Sequence, residues 1–234
     1  MKSGDLAFVG ICLIISSVIF GLFFYNARVT GNYVRVVGSA GKQFTTDRVK
    51  WRLTVSRTAS ATGLAEGYSQ LRKDVDLVTE QLRASGIDEK SVSFQALNTN
   101  PIWNNTGVIS NYTLQQSLYV ISDSVETVEK IALNPENIAS KGIIIENSRL
   151  EYFYSKVDEL KRELLGDAAK DAGLRAEEIA KSTGKKVGNL ISAQAGVFQI
   201  TEPYSTEVSG MGMYDTSSKD KEIRVTVRAE FEMK

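Results

Sequence analysis

The sequence predicts an α+β fold in which antiparallel sheets pack against two long amphipathic helices, preceded by one N-terminal transmembrane helix. Three observations predict it. Several segments alternate apolar and polar residues, which is typical of half-buried strands. Two segments repeat apolar residues at helical spacing. An uncharged apolar run opens the chain, which is typical of a membrane span.

The apolar run LAFVGICLIISSVIFGLFFY occupies residues 6–25. At about 1.5 Å per residue, a helix of this length reaches roughly 30 Å, the thickness of the hydrocarbon layer. Aromatic residues crowd its distal end, where rings favour the membrane interface. The pattern predicts a short cytoplasmic tail over residues 1–5 and a linker over residues 26–32. The residues expected to mark the anchor are Leu6, Phe20, Phe23, Phe24 and Tyr25.

A cleaved signal peptide is the alternative interpretation of this run, with cleavage after Gly31. The run is longer than a usual signal-peptide core, and Tyr25 is too bulky for a cleavage site after Ala27. An uncleaved signal anchor is therefore favoured. It places the protein in the inner (cytoplasmic) membrane as a single-pass protein, with its C-terminal domain in the periplasm or outside the cell.

The remaining residues, 33–234, are predicted to form one α+β domain. A strand beginning near Val34 is followed by a second one, in which apolar Val49, Trp51, Leu53 and Val55 alternate with polar residues. Gly38 and Gly41 are predicted to relax a turn or bulge between these strands.

Two helices are predicted from apolar residues spaced three and four apart. The first carries Leu64, Tyr68, Leu71, Val75, Val78 and Leu82. The second, over residues 156–182, carries Val157, Leu160, Leu164, Ala168, Ala172 and Ile179. Small alanines in the second helix favour close packing against a neighbour.

Further strands are predicted over residues 92–97, 111–121 and 222–233. The first two are expected to be joined by a long Asn-rich loop around Pro101 and Trp103. The last would reach nearly 40 Å at about 3.4 Å per residue, so part of it is expected to pair beyond the monomer's own sheet.

Two segments are candidate interaction loops because they carry large apolar side chains outside any predicted core. The first contains Ile102 and Trp103. The second, which is rich in glycine and serine, contains Tyr204, Met211, Met213 and Tyr214. Disorder is the alternative for both segments.

The composition argues against most catalytic chemistries. The chain has no histidine and one cysteine, Cys12, which excludes Ser-His and Cys-His nucleophile systems and nearly all zinc sites. Lys and Arg number 28, as do Asp and Glu, so no basic excess favours nucleic acid. No catalytic residue, cofactor or metal site is predicted, and the protein is not expected to be an enzyme.

The segment VRVVGSAGKQFTTDRVKWRLTV resembles the opening of the SIMPL domain, with its two spaced glycines and aspartate at Gly38, Gly41 and Asp47. The alanine-rich helix with its following strand, AAKDAGLRAEEIAKSTGKKVGNLISAQ, and the closing strand IRVTVRAEFEMK are similar to later parts of that family. The resemblance covers about residues 33 to 234. It implies an envelope protein similar to periplasmic immunogenic proteins, an α+β fold, assembly into large rings and a link to envelope or oxidative stress.

The predicted function is therefore that of a membrane-anchored extracytoplasmic structural or interaction protein that self-assembles into a ring-like or hollow homo-oligomer. Its expected partners are other copies of itself and the lipid bilayer, with no nucleic acid. The alternative is a binding or channel-associated module that holds a partner membrane protein or a ligand through its exposed loops.

Overall fold

The computed structural model describes residues 3–28 and 32–234, with side chains described over 10–25 and 32–234. The chain folds as an α+β protein whose strands form two five-stranded sheets, antiparallel except where β8 pairs with β9. The helices are α1 Ser3–Arg28, α2 Leu64–Ala84, α3 Val125–Ala132, α4 Glu136–Ala139 and α5 Val157–Ser182. The strands are β1 Tyr33–Thr45, β2 Arg48–Ser60, β3 Val92–Phe94, β4 Asn98–Trp103, β5 Ile109–Ser122, β6 Ile144–Phe153, β7 Val187–Ala195, β8 Gln199–Thr201, β9 Met213–Tyr214 and β10 Asp220–Met233.

The described residues divide into two compact units. Unit 1 combines residues from 1–40, Leu164–Gly196 and Val225–Lys234. Unit 2 combines Gly41–Glu163 and Val197–Arg224.

Unit 2 is built around β2, which pairs with β5 on one side and β6 on the other. The predicted alternation is confirmed, because Val49, Trp51, Leu53 and Val55 are all buried. They pack under α2 in a core that it supplies with Leu71, Val75, Val78 and Leu82. The core holds one bidentate ion pair, in which Arg57 donates to the two carboxylate oxygens of Asp74 at 2.6 and 2.8 Å.

Unit 1 contains three strands in the order β1, β10, β7, with α5 packed against them. The alanine prediction for α5 is confirmed: Ala168, Ala172, Ala176 and Ala180 are at most 1% exposed. Ile179, which was predicted to share their face, is 43% exposed, so that prediction is wrong. Ile179 directly precedes buried Ala180, so its side chain lies about 100° around the helix from that of Ala180, at the margin of a narrow buried stripe.

The predicted turn or bulge at Gly38 and Gly41 is wrong, because both glycines lie inside β1. A Cβ atom on Gly38 would overlap the carbonyl oxygen of Ala168 and the backbone nitrogen of Ala172, and it would lie 2.8 Å from the Cα of Ala172. The missing side chain therefore lets α5 approach β1 closely.

The predicted long loop around Pro101 and Trp103 is also wrong. Residues 98–103 form β4, which pairs with β5 in a hairpin closed by residues 104–108. Pro101 argued against a strand here because proline has no backbone N–H to donate. Proline is nevertheless tolerated on an edge strand such as β4. The strand predicted over 92–97 is shortened to β3, Val92–Phe94.

The expectation that β10 pairs partly beyond the monomer is wrong as well. β10 is paired within the chain, with β1, with β7 from Val227 to Met233 and with β8 from Glu222 to Arg224. The length of β10 is therefore explained by its pairing with three strands of the same chain.

Residues 6–25 of the predicted anchor belong to the helix α1. The side chain of Leu6 lies outside the described part, whereas Phe20, Phe23, Phe24 and Tyr25 are between 48% and 76% exposed. Among the described residues, no helix is both long enough and apolar enough to cross a membrane. The transmembrane prediction gains no support from that finding.

Candidate interaction surfaces

The predicted contact residues Ile102 and Trp103 lie near the tip of the β4–β5 hairpin. Trp103 is 60% exposed and Ile102 is 36% exposed. Asn104 orders the tip, since its Oδ1 accepts hydrogen bonds from the backbone N–H groups of Thr106 and Val108 at 3.0 and 2.9 Å. The hydroxyl of Thr106 donates to the same oxygen at 2.7 Å. The indole is thus held on an ordered, solvent-exposed tip.

The four candidate residues of the second predicted contact segment fall into two groups in the structure. Tyr204 and Met211 are 83% and 95% exposed. Met213–Tyr214 instead forms β9, which pairs with β8, and the ring of Tyr214 stacks on Phe153 with centroids 6.4 Å apart. The first two residues are free for contact, whereas the other two belong to the fold of unit 2.

The middle of this segment is fixed by a side-chain clamp rather than by a core. The Nε2 of Gln199 donates to the carbonyl oxygen of Ser209 at 2.6 Å, and the backbone N–H of Ser209 donates to the Oε1 of Gln199 at 3.2 Å. This reciprocal pair argues against the disorder alternative.

A buried polar cluster closes the same segment, and no sequence prediction identified it. Lys221 is fully buried, and its Nζ donates to the backbone oxygen of Asp215 at 2.6 Å. Ser217 and Ser218 donate hydroxyl and backbone hydrogen bonds to the Asp215 carboxylate. The alternation of buried and exposed residues in β10 could have predicted the burial of Lys221, because Lys221 is in phase with buried Ile223 and Val225.

Opposing effects set the pKa values in this cluster. Burial lowers the pKa of the Lys221 ammonium, while the Asp215 charge works in the other direction. Burial alone would raise the pKa of the Asp215 carboxyl, but the hydrogen bonds from Ser217 and Ser218 and the charge of Lys221 hold that pKa below its ordinary value. A lysine closed off from solvent cannot reach a substrate, so the cluster serves to fasten residues 215–221.

One edge of the unit 1 sheet carries an apolar pair that no prediction identified. β7 contains no charged residue and no proline, and β10 is its only strand partner among the described residues. A bulge at Ile191 interrupts the pairing between Ser192 and Leu190. Leu190 and Ile191 are each 54% exposed. Neighbouring residues of a regular strand point to opposite faces, so the adjacent apolar residues Leu190 and Ile191 break the alternation. This break is the feature of the sequence that indicates a bulge or an exposed apolar residue.

An apolar groove of about 610 Å³ lies between β1 and α5 in unit 1. Its apolar lining comes from Val36, Val37, Leu174 and Ile179. Leu174 is 62% exposed and Val37 is 44% exposed. Its charged rim is formed by Arg35, Arg175 and Glu178. Because α5 packs on β1 through alanines, the larger side chains beside that contact are left facing solvent.

Polar contacts hold the two walls of the groove, β1 and α5, together. The backbone N–H of Ser39 donates to the Oδ2 of Asp171 at 2.7 Å, and Arg175 donates to the same oxygen at 2.8 Å. The hydrogen bond from Ser39 contributes most to lowering the pKa of the Asp171 carboxyl, ahead of Arg175. Arg35 and Glu230 form an ion pair across the strands β1 and β10.

The described residues include no group of three or more His, Cys, Asp or Glu side chains placed to hold a metal ion. Cys12 is exposed on α1. The arrangement offers contact surfaces, namely an apolar pair, an apolar groove and a hairpin with an exposed indole.

Two comparisons with known proteins bear on this geometry. The chain matches no curated protein. The model of one family, described as SIMPL, a protein of unknown function (DUF541), matches residues 34–231, which is most of the chain. The protein therefore belongs to the SIMPL (DUF541) family.

Proposed function

We propose that the protein is a membrane-anchored structural module whose copies associate head to tail through unit 1. The observation that carries this proposal is the placement of two unlike apolar surfaces. The pair Leu190–Ile191 lies on β7, the groove lies beside β1, and β10 separates the two strands. Unlike surfaces at opposite edges of one sheet form heterologous contacts, which close into a ring when the rotation between copies permits.

The edge strands differ in how they resist pairing. Prolines and charges on an edge strand discourage association with another chain. β4 carries Pro101, β6 carries Glu146, Arg149 and Glu151, and β1 carries Arg35. β7 has only its bulge, which supports its assignment as the contacting edge.

The energy of one such contact is small. Full burial of a Leu or Ile side chain contributes about 1.5–3 kcal/mol, and this pair is already half buried. Association in solution costs roughly 4–15 kcal/mol in lost freedom of motion. The contact alone is therefore too weak to hold copies together in solution. Tethering the copies in one membrane raises their effective concentration and so favours association.

The direct test measures the mass of detergent-extracted full-length protein by mass photometry. We expect Leu190→Glu with Ile191→Glu, and separately Leu174→Glu, to reduce the assembly to monomers. Leu133→Glu is the matched control, because Leu133 is 69% exposed and belongs to unit 2, whereas both surfaces belong to unit 1.

Mixing the two defective variants makes the test specific for a head-to-tail contact. One variant keeps its groove and the other keeps its apolar pair, so an equimolar mixture should form dimers and nothing larger. An unchanged mass for each variant measured alone, or a mixture that rebuilds the full assembly, would contradict the proposal.

We infer that α1 provides the membrane tether, which supports a location in the inner membrane. Its exposed side chains include Ile14, Val18, Leu22 and Phe23, and no charged residue occurs from Leu6 to Tyr25. Such a surface is stable when lipid covers it. We expect the protein to stay in the membrane pellet after an alkaline carbonate wash, and Ile14→Arg with Val18→Arg to release it. Release of the unaltered protein by that wash would argue against a membrane-embedded helix.

The proposed location of the C-terminal part outside the cytoplasm is testable with one cysteine. Cys12 is the single native cysteine, so Cys12→Ser gives a background without thiols. We expect Leu133→Cys in that background to react with a membrane-impermeant maleimide in cells whose outer barrier has been opened. Reaction only after complete lysis would place unit 2 in the cytoplasm. A link to envelope or oxidative stress stays a prediction.

A further inference from the structure

The sheet of unit 2 carries an excess of basic residues. Its strands, β2 to β6, contain five basic residues and two acidic residues. Two of the basic residues have carboxylate partners outside the sheet, since Arg48 pairs with Asp123 and Arg57 pairs with Asp74. Three basic residues are therefore left to be balanced within the sheet.

These three residues lie together on the face of the sheet that is turned away from the core. Lys50 and Arg52 alternate along β2 with residues that are buried in the core, so their side chains point to the outer face. Arg149 of β6 lies directly opposite Arg52, and directly opposed residues share a face. We call Lys50, Arg52 and Arg149 the basic cluster.

One carboxylate serves the whole basic cluster. Glu151 lies opposite Lys50, with its Oε2 3.5 Å from the Nζ of Lys50 and its Oε1 3.8 Å from the Nε of Arg149. The other acidic residue of the sheet, Glu146, accepts a hydrogen bond from Gln115 at 2.6 Å. Three positive charges thus share one negative charge, which leaves an excess of two.

Arg52 receives no acceptor from the chain. Its Nε is buried and has no hydrogen-bond partner, and the residue forms no ion pair within the described part of the protein. Its Cζ instead lies 5.0 Å from the centroid of the Tyr119 ring, and the Nζ of Lys50 lies 5.1 Å from the same centroid. An aromatic ring attracts the flat face of a guanidinium but accepts none of the N–H groups at its edge.

This arrangement is unfavourable for the protein on its own. A buried polar atom without a partner is rare in folded proteins. Like charges that are directly opposed on neighbouring strands, as Arg52 and Arg149 are, also destabilise a sheet. Departures of this kind from stable design are expected at functional sites. An anion bound at the outer face would relieve both.

We propose that the basic cluster binds a phosphate group. The guanidinium fork matches two phosphate oxygens at once. A phosphate monoester carries about −1.5 to −2 charges at pH 7, which matches the excess of two and favours one phosphate over a polyanion. In the next row of the sheet, Thr54 and Ser117 lie opposite each other with their hydroxyls 2.8 Å apart, so neutral donors lie beside Arg52. This inference does not depend on self-association through unit 1, which uses other residues.

The test measures the melting temperature of the detergent-solubilised full-length protein. Trp51 is 1% exposed in the core of unit 2, so its emission reports the unfolding of the unit that carries the cluster. Inorganic phosphate, chloride and acetate would be compared at equal ionic strength and pH 7. We expect phosphate at about 20 mM to raise the melting temperature by about 2–4 °C more than chloride or acetate does.

Variants separate phosphate binding from a general effect on stability. Arg52→Gln is expected to remove the phosphate-specific shift, and Arg149→Gln to reduce it by at least half. The side chain of Arg149 is 64% exposed, so its replacement leaves the fold intact. Arg52→Lys keeps the charge without the fork and should retain less than half of the shift. Arg72→Gln is the matched control, because Arg72 is exposed on α2 of the same unit, and it should show the full shift.

A soluble phosphate and the head group of a lipid can both supply this chemistry. The phosphate titration would therefore be repeated with phosphatidic acid in the detergent micelles, and with phosphatidylcholine as the control lipid. If a lipid head group takes the site, phosphatidic acid fills it and added phosphate gives no further shift. An unchanged shift would assign the site to a soluble phosphate.

Two results would overturn the proposal. One is a melting temperature that rises equally in phosphate, chloride and acetate, which would show that the cluster does not select phosphate. The other is a phosphate-specific shift that persists in full in both Arg52→Gln and Arg149→Gln, which would place the bound phosphate elsewhere. A purely structural role of Arg52 would lower the melting temperature in chloride and leave the phosphate-specific shift unchanged.

Discussion

At the residue scale, Gly38 shows how one missing side chain sets the packing of a helix. It lies inside β1, and its backbone conformation does not require glycine, since its φ is outside the positive range. The constraint is steric: backbone atoms of Ala168 and Ala172 occupy the space that a Cβ atom would need. Backbone atoms cannot rotate away, so α5 itself would have to move.

We therefore expect Gly38→Ala to destabilise unit 1 by about 3 kcal/mol, the upper end for overpacking a core. Urea unfolding followed by circular dichroism would measure this. Gly166→Ala is the control: Gly166 lies on α5 with no atom within 4 Å of the position that a Cβ would occupy, and the change should stabilise the helix by about 0.5–1 kcal/mol. Equal stability of both variants would show that α5 does not approach β1 this closely.

The Asp215 cluster predicts an acid-sensitive contribution to stability. The pKa of the Asp215 carboxyl is held below the ordinary aspartate value in the folded state, so the contribution is present above that ordinary value, about 3.9, and is lost progressively as the pH falls below it towards the lower pKa of the folded state. We expect the urea midpoint to fall between pH 7 and pH 3. Asp215→Asn should lower the midpoint at pH 7 and reduce its dependence on pH.

Asp76→Asn serves as the control for that experiment, because Asp76 is exposed on α2 and makes no hydrogen bond within the described residues. A pH dependence of Asp215→Asn identical to that of the unaltered protein would contradict the role assigned to the cluster.

The sequence predicted the buried residues of regular elements better than it predicted Gly38 or Lys221. Periodicity identifies which side chains of a strand or helix face a core, and it did so for Trp51 and for the alanines of α5. It cannot show which backbone atoms lie above a glycine, since that depends on a helix more than 100 residues away in the chain. Lys221 was overlooked because a charged residue at a buried position is rare.

At the element scale, the β4–β5 hairpin illustrates how local chemistry can hide a strand. Asn98–Trp103 contains a proline and two asparagines, residues that are depleted in strands. Pairing with the long strand β5 outweighs these preferences. The contact residues Ile102 and Trp103 were predicted correctly as exposed, but in a loop rather than on an ordered hairpin.

Pro101 gives a prediction at this scale. Because proline cannot donate a backbone hydrogen bond, it blocks β4 from pairing with another chain. We expect Pro101→Val to keep the fold and to increase aggregation, measured by light scattering during incubation at elevated temperature. Pro135→Val, at the start of α4, is the control and should not aggregate faster. If both variants remained equally soluble, the edge of β4 would not need protection.

At the scale of the whole molecule, chain order and structural units do not coincide. Unit 1 takes its residues from three separate stretches, and β1, α5 and β10 each contribute residues to both units. The sequence contains no linker that marks this division, and a single domain over 33–234 was the natural expectation. Division into units depends on contacts between distant segments, which periodicity does not encode.

Removal of the C-terminal ten residues, 225–234, should affect one unit selectively. These residues form the central strand of unit 1, between β1 and β7. We expect amides of residues 187–195 to lose protection in hydrogen exchange, and those of β2 and β5 in unit 2 to keep it. Equal loss of protection in both units would show that they fold as one cooperative body.

The opposite placement of the Leu190–Ile191 pair and the β1–α5 groove has a consequence for mixed populations. In the proposed assembly, a copy damaged at one edge still presents the other, so it can join a growing chain of subunits and stop it. A minority of damaged copies would then shorten assemblies out of proportion to their number. Such poisoning would make a defect dominant in a cell that also produces the intact protein.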